Sequence, residues 1–275
     1  MLRGRMSRAL AVAAVALFAL VGAEAASAGA NTVQDGNDRP GRLDIRSVSQ
    51  GHSGGKVTHT IRTFGRWPKS LLDERHSNSF LVLINTDSDA RVERFVVIIT
   101  VRGRVTAGVL TAGGNFLGRT DVSRPGRRSL RVSISRNRLG NPAGYGWQAF
   151  SSFQGSGGCR NGCVDRAPNR VRLLLHDLRA PAVSFPQPPP PAGQTYDLQF
   201  TVRDRGGSSL DLWRLEHREA GIWEEVDHGR DTGPQSVPFT AAAPGDVDVF
   251  RVVAVDEHGN RTVSLERQVT APSAS

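Results

Sequence analysis

Phe95-Val96-Val97-Ile98-Ile99-Thr100-Val101, Arg102-Gly103-Arg104 and Val105-Thr106-Ala107-Gly108-Val109-Leu110-Thr111 follow one another as strand, turn and strand. The first run is continuously apolar and rich in β-branched residues, the composition of a strand buried on both faces. Gly103 suits the loop of a hairpin. The second run alternates with period two, as a half-buried strand does. Alternation recurs in Leu43–Val48, Val57–Thr63 and Leu130–Ser135, and Phe80–Ile84 repeats the continuous kind. Tyr145–Phe150 and Arg170–Leu175 supply further strands. No segment sustains a 3.6-residue period, and Ser70–Glu74 and Arg136–Leu139 are expected to form only single helical turns. The fold class expected is all-β.

Ala180-Pro181 and then Phe185-Pro186-Gln187-Pro188-Pro189-Pro190-Pro191 mark a change of regime. Proline lacks the ladder donor and favours extended polyproline II, so this stretch reads as a stiff linker or an edge segment. Around and beyond it lie seven strand-like segments: Ala182–Phe185, Tyr196–Val202, Leu210–His217, Ile222–His228, Gln235–Thr240, Val247–Asp256 and Arg261–Thr270. That number and spacing suits a small β-sandwich. The organisation expected is therefore two β-sandwiches in tandem: a larger, jelly-roll-like one over 42–179 and a smaller one over 180–270. Residues 271–275 are expected to be a disordered tail.

The N-terminus speaks to compartment. Arg3, Arg5 and Arg8 precede an uncharged apolar run, Ala9–Ala23, and Ala26-Ser27-Ala28 then fits an A-x-A cleavage site. The run is short of the ~20 residues that span a bilayer. Residues 1–28 read as a signal peptide cleaved before Gly29, and the polar stretch 29–41 as a flexible leader. The expected location is extracellular, with no transmembrane segment. Cys159 and Cys163, separated by Arg160-Asn161-Gly162, are expected to pair as a structural disulfide in an oxidising compartment.

The chain carries a formal charge of +9, and losing three Arg and Glu24 with the signal leaves +7. Only Lys56 and Lys69 are lysines, and Arg alternates with Asp and Glu without a five-residue basic run. This reads as a diffuse compositional bias, and no specific nucleic-acid partner is expected.

The C-terminal half resembles bacterial fibronectin type III and immunoglobulin-like modules. The carrying residues are Pro244-Gly245, Phe250-Arg251-Val252-Val253-Ala254-Val255-Asp256 and Gly259-Asn260, with Thr201–Gly207 and Trp213-Arg214-Leu215 earlier. Asp248 stands where such modules often carry a corner tyrosine, so that tie is absent or replaced. Trp213 and Trp223 are expected in core or inter-sheet packing. The N-terminal half loosely resembles carbohydrate-binding family 9 and DOMON-like sandwiches. That likeness rests on Phe80–Asn85 followed by Thr86-Asp87-Ser88-Asp89, on Leu130–Ser135 followed by Arg138-Leu139-Gly140, and on Tyr145–Ala149. It implies surface binding and not catalysis.

Three constellations stand out. Trp67, Tyr145 and Trp147, with Phe64, offer an aromatic platform for a sugar ring, with core packing as the competing reading. Asn85, Asp87, Asp89 and Glu93 place oxygen donors at loop spacing suited to Ca²⁺, but Ala90 and Val96 exclude an EF-hand and an Asx-rich turn competes. Gly51-His52-Ser53-Gly54-Gly55 fits G-x-S-x-G, yet strand-like Lys56–Thr63 follows it, and a Gly-rich hairpin explains it better than a nucleophile elbow. His59, in phase with Val57 and Ile61, is expected to be a partly buried structural histidine. No catalytic residues are assigned. The function expected is non-enzymatic recognition of an extracellular glycan or cell-wall polymer by the first sandwich, with structural Ca²⁺ as its one candidate cofactor. An extracellular protein–protein scaffold is the alternative, and a Ser53 hydrolase a weaker one.

Overall fold

The computed structural model describes residues 27–28, 32–73, 76–87, 89, 91–154, 159, 162–169, 173–185, 195–241, 243 and 245–271. Strands dominate both of its compact units, which divide between His176 and Asp177. Among the described residues no helix is long and apolar enough to cross a membrane.

The first unit is built from β1 (Ser27–Ala28), which lies within the expected signal peptide and, among the described residues, pairs only with β12, and from β2 (Thr32–Gln34), β3 (Ile45–Ser53), β4 (Lys56–Thr63), β5 (Ser79–Asn85), β6 (Arg94–Val101) and β7 (Arg104–Thr111). It continues with β8 (Phe116–Gly126), β9 (Ser129–Ser135), β10 (Gly144–Phe153), β11 (Cys163–Ala167) and β12 (Leu174–Asp177). The hydrogen-bonded order is β1-β12-β10-β5-β6-β7-β8-β9-β4-β3-β2, with β11 beside β10. β8 belongs to two layers. Its first half pairs with β7, Ala107 opposite Thr120, and its second half with β9, Asp121 opposite Ser133. The path thus turns over at β8 and closes into a sandwich. Phe80, Val82, Ile84, Val96, Ile98, Tyr145 and Trp147 of one layer and Val48, Val57, His59, Ile61, Leu130, Val132 and Ile134 of the other are all buried. The Arg102–Gly103 turn takes positive φ at both residues, as a two-residue hairpin loop requires. Single 3₁₀ turns occupy Lys69–Leu72 and Arg136–Leu139.

One expectation is corrected. Residues 32–41 are not a free leader: β2 pairs antiparallel with β3, Val33 opposite Val48, and the Asp35 amide donates to the Arg46 carbonyl. A three-residue edge strand buries too little to leave an apolar pattern. The proline run, 186–191, lies outside the described residues. It sits between β13 (Ala182–Ser184) and β14 (Thr195–Arg203), which pair with each other inside the second unit, so it connects strands of one unit.

The second unit continues with β15 (Leu210–Glu219), β16 (Ile222–Gly229), β17 (Gly233–Thr240), β18 (Val247–Asp256), β19 (Arg261–Val263) and β20 (Arg267–Thr270). One sheet runs β13-β14-β17 and the other β16-β15-β18-β19, with β20 beside β18. Leu198, Phe200, Val202, Trp213, Leu215, Val237, Phe250 and Val252 pack between them. Phe200 and Trp213 meet edge to face at 5.1 Å. Trp213 is core as expected. Trp223 is not: it is half-buried, with the Arg251 guanidinium 4.1 Å from its ring centroid. Asp248 replaces the missing corner tie, accepting the Tyr196 hydroxyl at 2.9 Å and pairing with His217 at 3.0 Å.

Candidate functional site

The aromatic platform does not exist as a surface. Tyr145 is 1% exposed and Trp147 0%. Residues two apart on a strand share a face, and this face is the sandwich interior. The Tyr145 hydroxyl bonds His59 Nε2 at 3.0 Å, and the Trp147 ring lies 5.1 Å from the His59 ring. His59 is fully buried, where only partial burial was expected, and burial lowers its pKa to about 3. The histidines are less scattered than the sequence suggests. His52 Nδ1 lies 2.9 Å from His176 Nε2, and His176 packs edge-on to Tyr145. Phe64 is only half-buried, but without Tyr145 and Trp147 it has no platform to join.

Ser53 ends β3, and Gly54 and Gly55, both at positive φ, turn the chain straight into β4. A strand follows the turn where a nucleophile elbow needs a helix. The motif is a hairpin.

Asp87, Asp89 and Glu93 bring carboxylate oxygens within 4.8 Å of one another. Much of that loop's bonding is internal. The Asp89 amide donates to Asp87 Oδ1 at 3.1 Å, the Arg91 amide to Asp89 Oδ1 at 2.6 Å, and the Thr86 amide to Glu93 Oε2 at 2.6 Å. Asn85 stands apart as a donor, its Nδ2 holding the Arg91 carbonyl at 2.6 Å. Cys159 and Cys163 form the expected disulfide.

The residues that do converge on a surface are arginines. Arg46, Arg62, Arg66, Arg127 and Arg128 line an open cleft of about 750 Å³, together with Thr63, Pro125, Gly126 and Ser129. All five are exposed, and no acidic residue lines the cleft. Among the described residues none of the five has an ion-pair partner.

Local backbone features place them. A register shift between Ile45 and Ser47 leaves Arg46 as the unmatched residue of β3, and such bulges re-aim a side chain. Arg62 sits opposite both Ser47 and Ser129. A second shift, between Ser123 and Gly126, frees Arg124 and Pro125 from the β8–β9 ladder. The β8–β9 turn carrying Arg127 and Arg128 is then pinned from below. The Thr63 amide donates to the Arg128 carbonyl at 2.9 Å and the Trp67 amide to the Arg127 carbonyl at 3.2 Å. Arg124 lies over the Trp67 ring, 3.8 Å from its centroid, and donates to the Trp67 carbonyl at 2.6 Å. Trp67, 3% exposed, therefore supports the wall of the cleft without offering a face to a ligand.

Guanidinium groups are planar forks that match carboxylate, sulfate and phosphate oxygens in pairs. Five of them line one opening that has no acidic lining residue, so the cleft's chemistry is that of paired donors without acceptors. Only the Arg127-Arg128 pair is adjacent in sequence, so no local motif announces the site.

No protein-family profile matches the chain, and no curated protein does. Among solved structures the chain is similar to the fibronectin(III)-like modules of CbhA from Clostridium thermocellum. That match has 12% identity and a TM-score of 0.35 over 82% of this chain and 95% of that one. A marsupial T cell receptor matches at 11% identity and a TM-score of 0.42, over 82% and 70% of the two chains. A human fibronectin III domain matches at 22% identity and a TM-score of 0.26, over 34% of this chain and 77% of the other. Likenesses this distant bear on neither ligand nor mechanism.

Proposed function

We propose that this is an extracellular binding protein whose first sandwich recognises an acidic glycan or wall polymer through Arg46, Arg62, Arg66, Arg127 and Arg128. The observation that carries this reading is the cleft of five exposed arginines with no acidic lining residue. Extracellular placement is supported by the n-region, apolar run and A-x-A site at the N-terminus and by the Cys159–Cys163 disulfide. An acidic polymer fits better than a neutral sugar. Neutral rings stack on exposed aromatic faces, and Tyr145 and Trp147 have none to offer.

The first sandwich acts by charge matching on a rigid scaffold. β3, β4 and the pinned β8–β9 turn fix the backbone from which the arginines project, which limits the part of the ordering cost that falls on the main chain. Repeated anions along one polymer then engage several guanidinium groups at once.

The test is calorimetric titration with polygalacturonate, heparin and poly(glycerol phosphate), with a neutral glucan as control. Saturable binding to at least one acidic polymer and none to the glucan is expected. Arg62→Ala with Arg128→Ala should abolish it. Arg102→Ala with Arg104→Ala removes the same charge from the β6–β7 hairpin and should leave it intact. Equal losses in both variants would reduce the binding to net charge acting without a site. No binding to any acidic polymer would sink the proposal in favour of a protein partner.

A further inference from the structure

The loop between β2 and β3 carries Asp35, Asp38 and, at its end, Asp44, and it meets Asp165 of β11. Carboxylate oxygens of Asp38, Asp44 and Asp165 all lie within 4.8 Å of one another. Their environments are graded: Asp38 is exposed, Asp165 is 1% exposed and Asp44 is 0% exposed.

Asp44 is the anomaly. Neither of its carboxylate oxygens has a hydrogen-bond partner, although both are buried. Asp35 Oδ2 is likewise buried and unpartnered. Asp165 and the second oxygen of Asp35 are better served. Asp165 Oδ2 accepts the Ile45 amide at 2.6 Å and its Oδ1 the Arg166 amide at 2.7 Å, while Asp35 Oδ1 accepts the Asn169 side chain at 2.7 Å. An ionised carboxylate buried without a partner is expensive, so such groups take up a proton or hold a cation. Burial first, then Asp165, pushes both Asp44 and Asp35 up to about 7.

We propose that Asp38, Asp44 and Asp165, with Asp35 beside them, bind a divalent cation that ties the β2–β3 loop to β11. Hard carboxylate oxygens select calcium over softer metals. Ca²⁺ binds each carboxylate through one or two oxygens and fills its remaining positions with water or backbone carbonyls. The graded burial suits this. Asp44 and Asp165 form the fixed floor, and exposed Asp38 lies on the side from which an ion enters. The site is separate from the Asp87 loop, and it does not rest on the arginine cleft.

The experiment is titration of the chelator-treated, purified protein with CaCl₂ by calorimetry, with thermal melts in parallel. Wild type should bind saturably and melt higher in Ca²⁺. Asp87→Asn with Asp89→Asn should behave like wild type. Asp44→Asn should weaken binding by about tenfold or more, since affinity follows the number of charged ligands. If Asp44→Asn does not fold, Asp38→Asn makes the same comparison at an exposed position. Absence of heat and of any melting shift in wild type would overturn the proposal and leave Asp44 as a protonated carboxyl. A calcium response that survives Asp44→Asn and Asp38→Asn but disappears in the Asp87/Asp89 variant would overturn it in favour of the other loop. Polymer titrations run in chelator keep a failure here distinct from a failure of the arginine cleft.

Discussion

Mild acid should destabilise the first sandwich through one residue. His59 is fully buried, its Nε2 bonded to the Tyr145 hydroxyl at 3.0 Å, and burial lowers its pKa from the ordinary 6.5 to about 3. The sign follows from which state takes up the proton. Above pH 6.5 the ring is neutral in both states, and its contribution to stability is fully present. Below that, the unfolded chain protonates while the folded one does not, so stability falls by about 1.4 kcal/mol per pH unit until the folded value near 3 is reached. By pH 4.5 the loss is roughly 3 kcal/mol, a large part of the ~5–15 kcal/mol that holds a domain together. Raised carboxyls elsewhere titrate in the opposite sense, so the quantity to measure is a difference. Urea midpoints of wild type and His59→Phe, followed by tryptophan fluorescence from pH 7.5 to 4.5, isolate it. His59→Phe should cost about 1–3 kcal/mol at neutral pH by leaving the Tyr145 hydroxyl unpaired. That deficit should hold steady above pH 6.5 and shrink by about 1.4 kcal/mol per unit below it. A difference that stays flat down to pH 4.5 would refute the reasoning, because the folded state would then accept the proton as readily as the unfolded one.

Trp147→Ala should cost about 3–5 kcal/mol in chemical denaturation, as truncation of a fully buried aromatic does, and a loss below 1 kcal/mol would mean the ring is not in the core. Gly206→Ala should destabilise the second unit. A Cβ there would stand 1.5 Å from Asp177 Oδ2, which accepts the Ser208 hydroxyl at 2.8 Å, and a melting temperature within a degree of wild type would contradict this close approach. Cys159→Ser with Cys163→Ser opens a loop of sequence separation 4 and should cost about 2 kcal/mol, read from the same denaturation curves.

Most strands were legible because their burial is one-sided or complete, and both leave a periodic trace. Val247–Asp256 has the same bounds on pattern and in the structure. β8 left no trace. Its eleven residues, Phe116–Gly126, are exposed or half-buried throughout, since it bridges two layers at their margin. Its half-buried positions alternate, but they carry Gly118, Thr120, Val122 and Arg124, of which only Val122 is a sizeable apolar side chain, so no apolar period can be read. β2 and β11 are only three and five residues long, too short to repeat a period, and the leader reading of 29–41 failed with β2.

The sites failed to show for a different reason. Tyr145-Gly146-Trp147 has the spacing of a one-sided aromatic pair, and that spacing is identical for a binding platform and for a core. What decides between them is whether a second layer covers the face, and that depends on β4 placing His59 across from Trp147, 88 residues earlier in the chain. Charge behaves likewise. Along the sequence arginine alternates with acid, so the net charge looks spread out. Folding sorts it, carrying Arg46, Arg62, Arg66, Arg127 and Arg128 to one cleft and Asp38, Asp44 and Asp165 to another place. Two opposite concentrations of charge on one sandwich cancel in any count of composition. The compact motif at Asp87 drew attention because its residues are neighbours, and being neighbours they bond largely to each other. Asp44 belongs to no motif, and among the described residues it is the buried carboxylate whose two oxygens folding leaves without a partner.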